Sequence, residues 1–240
     1  MTAKLNEYSP GQYYDELVAA DGTGHSHAQG LVRYFAAMDR DELVNRQHAV
    51  NRTIADMGIS FTIYSEGDNI DRAWPLDLVP RVMPATEWDH VEAGLVQRLT
   101  ALNLFIDDLY NARRILKDGV VPAELIDSSR NYLGPCRGVS PRHRVWAHVC
   151  GTDLVRGSDG TIYVLEDNLR VPSGVSYMLE NRETMLHMFP ELFSKIKVRP
   201  VQDYPKRLRR SLAACQPDMC DRKPVIVFLT PGIHNSAYYE

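Results

Sequence analysis

Two acidic residues and an amide flank a short turn in the second half of the chain. Asp153 precedes the turn, and Glu166 and Asn168 follow it. The dipeptide Asp159-Gly160 between them is typical of a two-residue hairpin turn, because both central residues of a type I′ turn need a positive φ. With that turn, Asp153 lies directly opposite Glu166, and strand alternation places Asn168 on the same face. Converging oxygen donors of this kind suit Mg²⁺ or Mn²⁺, so the pattern predicts a divalent cation site.

The second predicted strand continues into a polar connection that carries a cation and a glycine. Arg170 follows Asn168 by two residues, and it lies on the same face if the strand extends that far. Ser173-Gly174 then supplies backbone N–H groups ahead of the next predicted helix. A metal ion, an arginine and the backbone N–H groups of a glycine turn can together bind a phosphate group. Asp167 faces the opposite side of the strand, and we assign it no catalytic role.

Residues 151–182 resemble the metal-binding end of the ATP-grasp ligases, whose last hairpin carries Asp on one strand and Glu-x-Asn on the next. They are similar in particular to the circularly permuted ATP-grasp proteins, which include glutathionylspermidine synthetase-like enzymes. The resemblance covers most of the chain from about Met57 to Glu240. The stretches that fit this group are Pro84-Ala85-Thr86-Glu87-Trp88, Gln97-Arg98, Val164–Asn168, Pro172–Tyr177, Leu179-Glu180-Asn181-Arg182, and Leu229-Thr230-Pro231-Gly232 through Asn235-Ser236-Ala237-Tyr238.

The chain departs from this pattern at one position. Several ATP-grasp proteins carry Arg two residues before the metal-binding Asp, whereas Gly151 stands there in this chain. The resemblance therefore implies that Arg156 or Arg170 supplies the positive charge. On this basis we assign Arg156, together with Ser173 and Gly174, to binding of the ATP cofactor.

The resemblance implies a carboxylate–amine ligase that depends on ATP and on Mg²⁺ or Mn²⁺. ATP would convert a substrate carboxylate to an acyl phosphate, and an amine would then displace phosphate to form an amide. The expected partners are small-molecule or peptide acids and amines. Asp153, Glu166 and Asn168 would bind the metal, Arg170 would act as the catalytic partner of the phosphate, and Ser173-Gly174 would close over the substrate.

Two other functions stay open. A metal-dependent phosphatase could use the same three oxygen donors, but it needs a nucleophilic Asp or His near the metal, and the hairpin region offers neither an Asp-x-Asp strand end nor a His pair. A non-catalytic interaction protein could keep the ligase architecture without turnover. The Gly151 departure is compatible with that second alternative.

Composition excludes several classes of partner. The net charge is −4, with 27 basic and 31 acidic residues that are well mixed, which argues against nucleic-acid binding. The dense basic run Lys206–Arg210 fits one solvated face of a helix. No apolar run approaches the roughly 18 residues of a membrane span, and the polar N-terminus is unlike a secretory signal. Four cysteines without zinc-like spacing suggest free thiols and a cytoplasmic location. The oligomeric state is left open.

Periodicity predicts an α+β fold, in which helices pack on an antiparallel hairpin and a parallel α/β segment begins at the C-terminus. The longest predicted helix follows Pro84, with Thr86 as its N-cap and apolar residues spaced three or four apart. The apolar run Val225–Leu229 is typical of a strand buried on both faces of a parallel sheet. The remaining predicted elements are helices at Leu31–Met57, Val175–Phe189 and Tyr204–Cys215, and strands at Ile59–Tyr64, Val145–Cys150 and Thr161–Glu166.

These elements suggest three parts of the chain. Residues 1–30 form a partly ordered polar arm, residues 31–222 form the metal- and substrate-binding part, and residues 223–240 form the first strand and loop of an incomplete α/β domain. A lone parallel strand would expose an apolar edge. We therefore expect this polypeptide to be the first half of a ligase, with the nucleotide-clamping lysines beyond residue 240 and no activity of its own.

Overall fold

The computed structural model describes residues 8–64, 69–170, 172–230 and 232, with the backbone alone at 60–64 and 69–72. It is a mixture of helices and small two-stranded antiparallel sheets. In chain order the elements are α1 (Gln29–Ala36), α2 (Arg40–Asp56), β1 (Ser60–Tyr64), β2 (Asn69–Ala73), α3 (Ala85–Tyr110), α4 (Arg114–Lys117), α5 (Ala123–Asp127), β3 (Gly151–Arg156), β4 (Ile162–Asn168), α6 (Val175–Met188), α7 (Pro190–Lys195) and α8 (Tyr204–Ala214).

The chain forms two compact units. The first comprises Met1–Met83, Arg156–Thr161 and Ser173–Glu240, and the second comprises Pro84–Val155 and Ile162–Pro172. The division of the chain into residues 1–30, 31–222 and 223–240 stays a prediction. Among the described residues, no helix is long and apolar enough to cross a membrane.

The first unit has a hydrophobic core built by α1, α2, α6 and α7. Phe35 and Phe189 meet edge to face with ring centroids 5.5 Å apart, and Phe189 is fully buried. The other buried members of this core are Leu31, Met38, Val50, Ile54, Ile59, Leu78, Tyr177, Met185 and Leu192. Burial of this apolar surface is the main term that stabilises the unit.

The predicted helix Leu31–Met57 is divided into α1 and α2. The cause is Asp39, which has an extended backbone and whose Oδ1 accepts a hydrogen bond from the backbone N–H of Glu42 at 2.7 Å. This is an N-cap, and it begins a new helix where the periodicity predicted a continuous one. The predicted strand at Ile59–Tyr64 is confirmed as β1, which pairs with β2 from Ser60↔Ala73 to Tyr64↔Asn69.

The long helix of the second unit begins slightly earlier than predicted. Its N-cap is Pro84, whose carbonyl accepts from the backbone N–H of Trp88 at 3.0 Å, so Thr86 lies inside the first turn. The predicted apolar stripe is half-buried or buried from Val91 to Leu109, while Trp88 at its start is exposed. The stripe therefore marks the packed side of α3.

The predicted strand Val145–Cys150 is wrong, because this segment is irregular and β3 begins only at Gly151. The backbone N–H groups of Trp146 and Ala147 both donate to Oδ1 of Asn103 on α3, at 2.8 and 2.9 Å. Backbone donors satisfied by a helix side chain are not available to a neighbouring strand. The segment is thus fastened to α3 instead of extending the hairpin.

The turn between β3 and β4 also differs from the prediction. The backbone N–H of Gly157 donates to the carbonyl of Thr161 at 2.8 Å, and that of Gly160 donates to Gly157 at 3.0 Å. The loop therefore contains three residues, Ser158-Asp159-Gly160, and not two. Gly160 has φ +85°, which is the glycine position of a three-residue hairpin loop.

The predicted C-terminal strand is not confirmed. Residues 223–230 belong to no helix or strand, and Val225 and Leu229 are 88% and 97% exposed. A strand needs a neighbour for its backbone hydrogen bonds, and within the described residues this segment is in neither two-stranded sheet. Most of the motif that follows Thr230 lies outside the described residues.

Candidate metal and phosphate site

The three predicted metal ligands converge on one face of the hairpin. Nδ2 of Asn168 lies 3.3 Å from Oδ2 of Asp153 and 3.3 Å from Oε1 of Glu166. Asp153 and Glu166 are exposed, and Asn168 is half-buried. The amide thus donates to two carboxylates at once, one on its own strand and one on the facing strand.

This arrangement fits a divalent cation in its donor chemistry. Two carboxylates that approach each other repel unless positive charge lies between them, and here the NH₂ group of Asn168 provides the positive end of a dipole. Rotation of the amide by half a turn would present its oxygen at the same place, completing a set of oxygen donors suited to Mg²⁺ or Mn²⁺. Across the described parts of the chain, no group of three or more His, Cys, Asp or Glu residues forms a metal cluster.

The opposite face of the hairpin carries a second polar group. Oγ1 of Thr152 donates to Oδ1 of Asp167 at 3.0 Å, and Nε of Arg98 on α3 donates to Oδ2 of Asp167 at 2.7 Å. The Asp167 side chain is only 8% exposed. Burial raises the pKa of the nearby Cys150 thiol, and the negative charge of Asp167 adds to this effect, so the thiol stays protonated at neutral pH.

The longer turn does not separate the three predicted ligands. Gly157 donates to Thr161 beside the turn, and the Asn168 amide contacts both Asp153 and Glu166 farther along the hairpin. Leu165 and Glu166 are consecutive exposed residues of β4, so burial does not alternate strictly along this strand.

Arg170 lies two residues beyond the end of β4 and is exposed. Within the described part of the chain, its guanidinium makes no ion pair or side-chain hydrogen bond, and the carboxylate of Asp167 is bound by Arg98. In the first unit, Ser173 and Gly174 are exposed and immediately precede α6. Gly174 has φ +106° and occupies the N-cap of that helix, where no side chain caps the first turn.

Arg156 occupies a different environment from the one expected of a nucleotide-binding residue. Its side chain is 7% exposed, and its Nε lies 2.8 Å from Oε1 of Glu16. Its Nη1 also donates to the carbonyl of Gly160 at 2.8 Å, and its guanidinium lies 4.9 Å from the ring centroid of Tyr14. These contacts hold the tip of the hairpin against the N-terminal segment, so ATP could contact Arg156 only if they were broken.

Glu16 also binds Arg81, whose Nη2 and Nε lie 2.6 and 2.9 Å from its two carboxylate oxygens. Burial of Glu16 acts to raise the pKa of its carboxyl, but hydrogen bonds and charges from Arg81 and Arg156 outweigh it, and the pKa is lowered. The N-terminal segment therefore contributes a charged clamp for the hairpin tip.

The Gly151 departure has a steric explanation. A Cβ atom at Gly151 would lie 2.9 Å from Cβ of Pro172 and 3.9 Å from Cβ of Asn168. A contact at 2.9 Å is closer than real Cβ atoms approach, and the proline ring cannot rotate away. An arginine at this position therefore requires the segment around Pro172 to shift.

The role of Arg98 was not predicted from the sequence. Its bond to Asp167 joins residues that are 69 positions apart. No spacing rule pairs residues at that separation. The one available signal was that Asp167, pointing away from the metal face, needs a positive partner if it is buried.

Residues 80–240 match the model of the family described as circularly permuted ATP-grasp type 2. The uncharacterized protein sll0335 of Synechocystis is 43% identical over 239 residues, which cover 99% of this chain and 49% of that protein. The uncharacterized protein Rv2411c of Mycobacterium tuberculosis is 42% identical over 227 residues, covering 95% of this chain and 40% of that protein.

A third relative carries an enzyme name. "Putative glutamate--cysteine ligase 2-2" of Frankia casuarinae is 35% identical over 236 residues, which are 98% of this chain and 27% of that protein. The chain thus spans about half or less of the length of these relatives.

Proposed function

The chain belongs to the circularly permuted ATP-grasp type 2 family, and on that premise we propose that it carries the cation- and phosphate-binding part of an ATP-dependent carboxylate–amine ligase. The observation that carries this proposal is the Asn168 amide shared between Asp153 and Glu166. The relative named a glutamate–cysteine ligase supports the reaction class, because that name describes amide formation between a carboxylate and an amine.

The proposed reaction has two steps. A carboxylate oxygen of the acid attacks the γ-phosphorus of ATP, and ADP leaves, which produces an acyl phosphate. The amine nitrogen then attacks the acyl carbon, phosphate leaves, and the nitrogen loses a proton to give the amide. Both steps place negative charge on phosphate oxygens, so they need fixed positive groups beside those oxygens.

Asp153, Glu166 and Asn168 would hold Mg²⁺ or Mn²⁺ on the rigid hairpin. Such an ion, when bound, neutralises the charge that develops on phosphate oxygens. Arg170 would bind two phosphate oxygens through its planar guanidinium, and its exposure leaves it available to do so. Ser173 and Gly174, which precede α6 in the first unit, would contact the ATP cofactor.

Titration with Mn²⁺ tests the metal site. The unmodified chain and Glu166→Gln are compared by the loss of the electron paramagnetic resonance signal of free Mn²⁺. Removal of one carboxylate charge should weaken Mn²⁺ binding on the order of tenfold, while the fold stays intact. Glu92→Gln is the matched control, since Glu92 is an exposed residue of α3. Equal Mn²⁺ affinity of Glu166→Gln and the unmodified chain would exclude Glu166 as a ligand.

The reaction class has its own test on the complete gene product. A carboxylate–amine ligase sustains ADP formation over many turnovers only when both an acid and an amine are supplied, because the amine must remove each acyl phosphate. A phosphatase would release phosphate without the amine, and a non-catalytic protein would form no ADP. Assays with glutamate and cysteine are a reasonable start, because the Frankia relative is named for that pair.

A further inference from the structure

Asp167 connects the metal face of β4 to the long helix α3. It lies between Glu166 and Asn168 in sequence but points to the opposite face, where Thr152 and Arg98 bind it. The two donors account for both of its carboxylate oxygens. The Asp167 side chain is 8% exposed and that of Arg98 is 46% exposed, so the carboxylate is buried and the guanidinium partly reaches solvent.

The orientation of Asp167 constrains its two neighbours. Successive strand residues point to opposite faces, so a rotation of β4 that releases Asp167 also turns Glu166 and Asn168 away from Asp153. A buried carboxylate is costly unless donors satisfy it. Removal of Arg98 leaves only the Thr152 hydroxyl, and relief of the buried charge then requires Asp167 to move toward water.

We propose that Arg98 is a positioning residue for the metal site, acting through Asp167 to keep Glu166 and Asn168 on the face of Asp153. This rests on the proposed function, in which those three residues bind the cation. Arg98 itself touches none of them in the described hydrogen bonds. Its role is to fix the rotation of β4 from the other side of the strand.

The alternative is that Arg98–Asp167 only fastens the hairpin to α3. A fastening role lowers the melting temperature without changing the geometry of the metal face in molecules that stay folded. A positioning role changes that geometry, and with it Mn²⁺ affinity, at temperatures well below melting. The two roles therefore separate when stability, Mn²⁺ affinity and the Asn168 amide are measured on the same samples.

The experiment compares Arg98→Met, Arg98→Lys and Asp167→Asn with the unmodified chain. Arg207→Met is the matched control, because Nε of Arg207 donates to Asp203 at 2.6 Å in the same type of bond on helix α8 of the first unit. Mn²⁺ binding is measured by electron paramagnetic resonance. The side-chain NH₂ resonances of Asn168 are followed by nuclear magnetic resonance without metal, since they report the contacts with Asp153 and Glu166 directly.

We expect Arg98→Met to shift the Asn168 NH₂ resonances and to weaken Mn²⁺ binding on the order of tenfold. Arg98→Lys should recover most of the affinity, because it restores a donor and a positive charge. Asp167→Asn should give an intermediate loss of Mn²⁺ affinity. If Arg98→Met does not fold, Asp167→Asn tests the positioning role in its place. Arg207→Met should change neither readout.

Unchanged Asn168 resonances and Mn²⁺ affinity in Arg98→Met, or in Asp167→Asn if the former is unfolded, would overturn the positioning role and leave the proposed metal site standing. A failure of the unmodified chain to bind Mn²⁺ would overturn the metal site itself, and the positioning role with it.

Discussion

Nδ2 of Asn168 lies 3.3 Å from Oδ2 of Asp153 although the two residues belong to different strands. The same nitrogen lies 3.3 Å from Oε1 of Glu166, so one amide satisfies two carboxylates. A cation at this position would replace the amide hydrogens as the source of positive charge.

Asn168→Asp should make the hairpin dependent on a divalent cation. The substitution removes two hydrogen bonds and places a third negative charge beside two others, so the free energy of unfolding should fall by about 1 kcal/mol in EDTA. Added Mn²⁺ should then raise the melting temperature of the variant more than that of the unmodified chain. Thermal unfolding of both proteins in EDTA and in Mn²⁺ gives the melting temperatures to compare. If Mn²⁺ stabilised both proteins equally, position 168 would not face the ion.

Gly151→Ala should destabilise the second unit, because its new Cβ would lie 2.9 Å from Cβ of Pro172. We expect a loss of about 1–2 kcal/mol in the free energy of unfolding. Gly94→Ala is the matched control, since nothing lies within 4 Å of a Cβ at that exposed position of α3. It should stabilise the helix by about 0.5–1 kcal/mol. Urea denaturation measures the free energy of unfolding of both variants. Equal values for Gly151→Ala and Gly94→Ala would contradict the steric explanation.

Arg170→Lys should separate a phosphate role from a structural one. Because no ion pair of Arg170 is found among the described residues, the free energy of unfolding should change by less than about 0.5 kcal/mol. An ammonium cannot bind two phosphate oxygens in parallel, so ADP formation by the complete gene product should fall on the order of a hundredfold. Turnover that survives the substitution would remove Arg170 from the proposed mechanism.

Glu16→Gln should remove a pH-dependent part of the stability. The pKa of Glu16 is lower in the folded protein, so its ion pairs stabilise the fold above the ordinary glutamate pKa of about 4.3 and are lost as the pH falls through the folded value. We expect the variant to be less stable by about 2 kcal/mol at pH 7. Urea denaturation at pH 7 and pH 3 should show the two proteins converging at the lower pH. A constant difference at both pH values would show that the charge of Glu16 is not the cause.

The sequence alone was sufficient for the local pattern of the hairpin. Alternation along β4 placed Glu166 and Asn168 on one face and Asp167 on the other, because that rule depends only on backbone geometry. The apolar spacing of α3 predicted its packed side for the same reason. The turn was predicted wrongly because Asp159-Gly160 fits two kinds of loop, and a glycine with positive φ occurs in both.

Long-range partners were decided only by the tertiary structure. Arg98 with Asp167 and Glu16 with Arg156 join residues 69 and 140 positions apart. Asn103 accepts hydrogen bonds from the backbone N–H groups of Trp146 and Ala147, which are then not available to the strand predicted at Val145–Cys150. Local periodicity predicts which side of a helix or strand is polar and which is apolar. The choice among many possible partners for a buried charge or a backbone donor depends on which elements pack together, and only the folded chain determines that packing.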